Sequence, residues 1–437
     1  MRPQSKITYI FSRVGDVGSQ TPIHGQGLTN GMTVIDSVNC DGKSSRSSRH
    51  WMMLSAFTLL LVLHGRPLVA EERSPSFEAT AIEPAVAPLS EALTFARIRM
   101  QGGEEVVLVA DFENETLRGV PVSELGISGV TDPIDAAALL MPRTDLDAQL
   151  SKRENLATYS MTDVLSAAGD STANIGTGTN FPEHAEEARL DGVFSFPKFG
   201  RPMPPRTQVF LDKQKQLLDY EVEMCVRFDR TLKSIADFDS AMAGFFLCAD
   251  FTDRAEMIRR INVADPLSGI GFTDGKSGPD YFPTGPFLVV PRDWRSFIAN
   301  ERIVTEVDGQ QRQDARGREM ILDFRKLVDK ILADDGDKNF SYKGEPVSLT
   351  TEPASLPRGV NLMSGTAEGV VYRAPTKDEL SIASSIAGQR AIDVREALVE
   401  VMFNEEREKQ SYLQPGSVVA YRSMRLGEIK VKVAATQ

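Results

Sequence analysis

Glu221, Glu223 and Asp250 are the residues of this chain whose types and spacing most readily suggest chemistry. The segment Leu218-Asp-Tyr-Glu-Val-Glu-Met-Cys-Val226 alternates, and a strand shows successive side chains on opposite faces. Tyr220, Val222, Met224 and Val226 then share one face, and Glu221 and Glu223 the other. Two acids on neighbouring same-face positions repel, which is costly in a partly buried strand, and a cation is the simplest compensation. A solvent-facing strand with ordinary surface acids is the other reading of this segment. Asp250 closes the apolar run Ala243-Gly-Phe-Phe-Leu-Cys-Ala249, either as the N-cap of a following helix or as a site residue at a strand end. Together the three acids make an all-oxygen set. Such hard ligands suit a divalent cation, Mg2+ first with Mn2+ or Ca2+ as alternatives, and not zinc.

The elements that must position these acids are short. Apolar runs alternate with Gly/Pro turns from about residue 175, as in Gly192-Val-Phe-Ser-Phe-Pro197 and Pro286-Phe-Leu-Val-Val-Pro291, which predicts a β-rich body. Helical periodicity marks Arg316–Ala333 and Ala391–Gln410. Before them, residues 91–170 read as a small N-terminal domain, with a strand at Glu105–Ala110 and a helix starting near Asp132. Residues 71–90, rich in Pro, Ala and Glu, read as a linker. Cys225 and Cys248 fall in the apolar strand-like runs and are expected as buried free thiols. A disulfide between them requires their strands to be neighbours.

The chain has 437 residues, 41% of them hydrophobic and 25% charged, as in soluble globular proteins. The formal net charge of -12 disfavours nucleic acid as a partner. At the N-terminus, residues 1–70 read as a leader. Arg46 and Arg49 precede the apolar run Trp51–Leu63, and Ala70 follows at a cleavage-like position. The pattern predicts an exported protein, periplasmic or secreted, with membrane contact only if the leader stays uncleaved. Three of the four histidines, His24, His50 and His64, lie in that leader, and His184 remains. Glu187 follows His184 by one helical turn, within orienting reach on a helix, although a lone histidine is more often structural. Lys276 sits between glycines in Asp274-Gly-Lys-Ser-Gly278 and by itself reads as a solvated loop lysine.

Seven segments, in order, resemble the fumarylacetoacetate hydrolase family. Asn180-Phe-Pro-Glu-His-Ala-Glu-Glu187 resembles its Asn-Tyr-x-x-His-x-x-Glu signature, and Asp219-Tyr-Glu-Val-Glu223 its Asp-Tyr-Glu-x-Glu. Gly244 through Arg254 resembles Gly-Tyr followed by Asp-x-Thr-x-Arg. Lys276 with Gly285-Pro286, Asp308–Gln313 with Met320, Gly365-Thr-Ala-Glu-Gly-Val370, and Leu413–Gly416 with Leu426-Gly427 follow. The resemblance covers residues 175–437. It implies a β-rich α/β fold, the family's mixed β-sandwich roll, usually as a homodimer.

The resemblance also implies roles. Glu221, Glu223 and Asp250 match the family's metal ligands. His184 matches a general base oriented by Glu187, and Lys276 matches a lysine that contacts developing negative charge. Arg254 and Thr366 match substrate-binding positions. The implied reaction is metal-dependent hydrolysis of a C–C bond in a small 2-oxo or 1,3-dicarbonyl acid of the fumarylacetoacetate or acylpyruvate type. Isomerase, hydratase or decarboxylase action on 2-hydroxydienoate or oxaloacetate-like acids is an alternative on the same site, and a non-catalytic metal-dependent binding protein is another. The sequence departs from the family at Phe181 for Tyr, Met257 for Gln, Ala367 for Pro, in residues 278–282, and in a helical insertion at about 373–412, expected as a lid or interface piece.

Overall fold

The computed structural model describes residues 77–151, 156–334 and 336–436. The expected leader and the first part of the linker lie outside the described residues. Among the described residues, no helix is long and apolar enough to cross a membrane.

Among the described residues, two large sheets, two two-stranded pairs (Leu218–Asp219 with Thr252–Asp253, and Phe340–Tyr342 with Glu345–Val347) and a set of helices make a strand-rich, mixed α/β fold. The larger sheet has ten strands. Across it they run Ala157–Ser160, Thr116–Pro121, Gly103–Glu113, Ala92–Met100, Leu288–Pro291, Ala243–Ala249, Val222–Phe228, Asn361–Met363, Ala173–Gly178 and Phe194–Phe199. Pairing is antiparallel except between Asn361–Met363 and Ala173–Gly178. The second sheet orders Gln310–Arg316, Arg302–Val307, Val418–Ser423, Glu428–Ala435 and Arg206–Leu211.

The central strand Val222–Phe228 is buried along its whole length. Its Val222, Met224 and Val226 join Phe245, Leu247, Ile303, Tyr421, Ile429 and Val431 in one core shared by the two sheets. The alternation in the sequence is therefore real, but neither face is wet. That removes the reading of Glu221 and Glu223 as surface acids: they are 3% and 0% exposed.

The region expected as a small N-terminal domain supplies four strands to the larger sheet, through pairing of Ala92–Met100 with Leu288–Pro291. Residues 77–90 also touch the body: Ala85 N–H donates to the Met424 carbonyl, and Arg302 donates to the Thr80 and Glu78 carbonyls. Asp132 caps the helix Pro133–Leu140 by accepting from Ile134 N–H. The helical period over Arg316–Ala333 resolves into a 3-10 turn at Gly317–Glu319 and a helix at Phe324–Leu332, capped by Asp323. In the insertion, Lys377–Arg390 and Val394–Lys409 form a helical hairpin. Thr376 and Glu379 make a capping box at its start.

The expectation of free thiols at Cys225 and Cys248 is corrected, because the two form a disulfide. Their strands are adjacent, with Cys225 opposite Phe246 and Cys248 opposite Glu223. The cysteines are thus diagonal partners on one face, with Cα atoms 6.0 Å apart, within disulfide reach. By parity this is the face that carries Glu221, Glu223 and Asp250.

Two outcomes are expected. The disulfide closes a loop of 23 residues in sequence separation. Loop-closure entropy for that length is about 3 kcal/mol, so Cys225→Ala/Cys248→Ala should lose about that much in urea unfolding, whereas a loss near zero would deny the bond a stabilising role. Glu301 is buried beneath the Ser423 hydroxyl and Arg425 N–H, both of which donate to it. Burial pushes its carboxyl up to about 7 despite those donors. The native state then favours protonated Glu301. Its contribution is full below the ordinary value near 4.5 and is lost as pH rises to about 7. Between those limits the linked loss is roughly 3 kcal/mol. Glu301→Gln should flatten that part of the stability–pH curve relative to wild type, and an unchanged slope would exclude Glu301 as its source.

Candidate active site

Glu221 immediately precedes the strand Val222–Phe228, and Asp250 immediately follows Ala243–Ala249. The two strands are paired, and Asp250 N–H donates to the Glu221 carbonyl at 3.0 Å. This continues the ladder by one step and places both acids at its end, with Glu223 next along the same face. One carboxylate oxygen from each acid lies within 4.8 Å of the others. Asp250 does not cap the following helix. Asp253 does, accepting from Ala255 N–H at 3.0 Å and Glu256 N–H at 3.3 Å.

Three buried cations face these acids. Lys276 Nζ lies 2.8 Å from Glu221 Oε2 and 2.9 Å from Asp250 Oδ2, and donates to Thr252 Oγ1 at 2.9 Å. It is the last residue of the short helix Phe272–Lys276, not a solvated loop residue as its glycine neighbours suggested. Burial works against its charge, but Asp250 and Glu221 outweigh burial and hold it protonated. Lys198 Nζ donates to Asp250 Oδ1 at 2.6 Å and to the Lys276 carbonyl. Complete burial dominates there and pulls the lysine below its ordinary range, with Lys276 adding repulsion. Arg254 donates to Asp219 Oδ2 at 2.8 Å and to Glu221 Oε1 at 2.6 Å. Arg254 was expected at the substrate, and it does line the cavity. There its guanidinium also binds the carboxylates of Asp219 and Glu221.

Glu223 differs from the other two acids. Gly365 N–H donates to its Oε2 at 2.7 Å, and its Oε1 is buried without a partner. Gly365 sits at φ +80°, where a side chain is strained, and a Cβ there would come within 3.1 Å of Asn180. Burial and the charges of Asp250 and Glu221 push the Glu223 carboxyl well above its ordinary range. Burial also opposes ionisation of Glu221, but Lys276 and Arg254 reverse the balance and hold it low. A buried acid with an orphaned oxygen, pointing at two further carboxylates, fits a hard divalent cation: the cation would supply the missing partner and allow Glu223 to ionise.

His184 and Glu187 lie on the helix Pro182–Ala188, and His184 Nδ1 is 3.1 Å from Glu187 Oε2. Glu187 Oε1 accepts from Gly369 N–H at 2.9 Å, so the acid is itself anchored. The pair is therefore ordered as the one-turn spacing suggested. Thr366 Oγ1 donates to the Val222 carbonyl at 3.0 Å and lies 2.9 Å from Gln313 Nε2. His184, Glu221, Arg254, Lys276 and Thr366 all line one cavity of about 290 Å3. Of the eight site residues expected from the sequence, those five open directly on it. Glu187, Glu223 and Asp250 stand behind them.

Lys198 was missed. Its signal was present: a lysine inside the strand Phe194-Ser-Phe-Pro-Lys-Phe199 is an unlikely surface feature of an apolar run, and it is 0% exposed. Asp219 was quoted only as part of a motif. It holds Arg254 and accepts from Val371 and Tyr372 N–H, both at 3.0 Å, which ties the segment before the insertion to the site.

The sequence profile described as "Fumarylacetoacetate (FAA) hydrolase C-terminal" matches residues 173–434. Among solved structures, a fumarylacetoacetate hydrolase from psychrophilic Exiguobacterium antarcticum is 16% identical with a TM-score of 0.50, covering 79% of this chain and 100% of that one. A probable 2-hydroxyhepta-2,4-diene-1,7-dioate isomerase from Mycobacterium abscessus is 18% identical with a TM-score of 0.47 and the same coverage. A 5-carboxymethyl-2-hydroxymuconate delta-isomerase from Mycobacterium smegmatis is 16% identical with a TM-score of 0.46, again covering 79% and 100%. These likenesses concern the fold alone. No curated protein matches the chain in sequence. The profile match spans more than half of the chain, including both strands that carry the three acids, and the chain belongs to the fumarylacetoacetate hydrolase family.

Proposed function

We propose that the protein is a metal-dependent hydrolase that cleaves a C–C bond in an acylpyruvate-type 2-oxo acid. The observation that carries this reading is the opening of His184 onto the same cavity as Glu221 and Lys276, with Glu187 at its back. Glu223, Glu221 and Asp250 would hold Mg2+ or a similar cation, which when bound supplies a Lewis acid for the 2-oxo carboxylate.

The remaining chemistry falls to the chain's own groups. Glu187 takes the Nδ1 proton side of His184, which leaves Nε2 free to accept a proton from water. That water's oxygen adds to the carbonyl carbon distal to the carboxylate. The bond from this carbon to the methylene then breaks. Its electron pair passes to the 2-oxo fragment, and His184 returns the proton to the methylene carbon. The products are a carboxylic acid and pyruvate, and one water is consumed. Negative charge grows on the 2-oxo fragment during cleavage, next to the buried Lys276 ammonium. Ionic pairing with Glu221 and Asp250 keeps that ammonium in place before substrate arrives, so little reorganisation is needed.

Acylpyruvates with Mg2+ should give equimolar acid and pyruvate, whereas formation of an isomer without cleavage would favour an isomerase. His184→Ala should lower kcat by about 10²–10⁴-fold, the range of a general base, while Mg2+ still raises Tm. Unchanged turnover would remove His184 from the chemistry. Mg2+ at a hundred times its Kd should add about 2.7 kcal/mol of stability. Glu221→Ala should abolish that gain in thermal unfolding, and a persistent Mg2+ effect would place the cation elsewhere.

A further inference from the structure

The cavity has two unlike ends. Glu221, His184, Arg254 and Lys276 occupy one. The rest is apolar, walled by Leu190, Phe194, Met257, Ile261, Phe272 and Leu398. Phe194 and Phe272 pack against each other with ring planes tilted by 56° and centroids 4.6 Å apart, so this wall is packed. Leu398 comes from the second helix of the inserted hairpin, and Leu380 from the first. At the rim, Val263 and Leu380 remain 69% and 44% exposed, two large apolar side chains left against solvent beside a polar centre.

Charge in this outer part is scarce. Among the described residues lining it, the cation is Arg395, and its guanidinium is bound to Asp393 at 3.0 and 2.9 Å. A second carboxylate placed there would meet hydrocarbon and an arginine already engaged, and would lose its hydration without a partner. An apolar group would lose water at no such cost. The whole cavity, polar end included, holds about 290 Å3, nearly twice the ~150 Å3 apolar cavity known to take a benzene ring, so a group of that size fits beside a small 2-oxo acid head.

We infer that the substrate carries an apolar tail, an alkyl chain of about six carbons or a phenyl ring, where a dicarboxylic substrate would carry its second acid. The tail lies along Phe194, Phe272 and Met257, and the inserted hairpin closes over it through Leu398 and Leu380. This rests on the proposed binding of a 2-oxo acid at the carboxylate end, and it adds the chemistry of the other end.

The test separates the two ends. The full protein with Mg2+ is titrated with pyruvate, 2-oxohexanoate, 2-oxooctanoate and 2-oxoglutarate, and Kd is read by calorimetry. Affinity should rise about fourfold per buried methylene from pyruvate to 2-oxooctanoate. 2-Oxoglutarate should bind more weakly than 2-oxohexanoate. Leu380→Lys, at a half-exposed position that does not challenge folding, should weaken 2-oxooctanoate and leave pyruvate unchanged. Equal affinity for pyruvate and 2-oxooctanoate, or tightest binding of 2-oxoglutarate, overturns the apolar tail. A chain-length gradient without turnover of any acylpyruvate leaves the tail standing and removes the hydrolase reading alone. Binding by none of the four acids removes both.

Discussion

Three carboxylates buried at the end of one β-ladder set the terms for the rest of this structure. Their mutual repulsion in a medium that solvates charge poorly cannot be left unanswered. Lys276, Lys198 and Arg254 each come from a different element, and each reaches the same small volume. The answer is incomplete at Glu223, whose second oxygen is unpartnered. The centre is thus built from paired charges with one acid left over, buried beside them. Around it the sheet supplies rigidity. Val222, Met224 and Val226 anchor the strand in the shared core on one side, and the Cys225–Cys248 bond ties the two strands at whose ends the acids lie on the other.

Much of this was legible in the sequence. Alternation assigned the faces around Glu221 and Glu223, and the apolar run before Asp250 marked a strand end. The one-turn spacing of His184 and Glu187 anticipated their contact. What the sequence could not show was depth. A strand with acids on alternate positions looks the same whether its polar face meets water or a second buried layer, and only tertiary packing decides. The burial of Lys276 was hidden for a related reason, since flanking glycines describe a flexible backbone and say nothing about what encloses the side chain. The disulfide was withheld by topology: Cys225 and Cys248 become diagonal partners only once their strands are paired. The break of the 316–333 period into a 3-10 turn and a nine-residue helix follows from Gly317 and Asp323, a breaker and a cap within the apolar period.

The helical insertion and the polar centre are linked through Asp219. Its carboxylate binds Arg254, which steers Glu221, and it also accepts from the backbone at Val371 and Tyr372, where the chain departs toward the hairpin. Tyr372 in turn lies over the Arg254 guanidinium, 5.0 Å from its ring centroid. The wall of the cavity is therefore fixed to the same ionic network that orders the acids.

The pairing of Ala92–Met100 with Leu288–Pro291 places the N-terminal strands inside the same hydrogen-bonded sheet as Val222–Phe228. A fragment trimmed to residues 173–434 would keep every acid of the centre but strip one whole flank of Leu288–Pro291. That strand, Leu-Val-Val-Pro, would become a raw apolar edge, open to pairing with any neighbouring chain and so a seed for aggregation. The smallest unit that can be handled in isolation is thus set by the sheet's continuity, and it is longer than the stretch that carries the family resemblance.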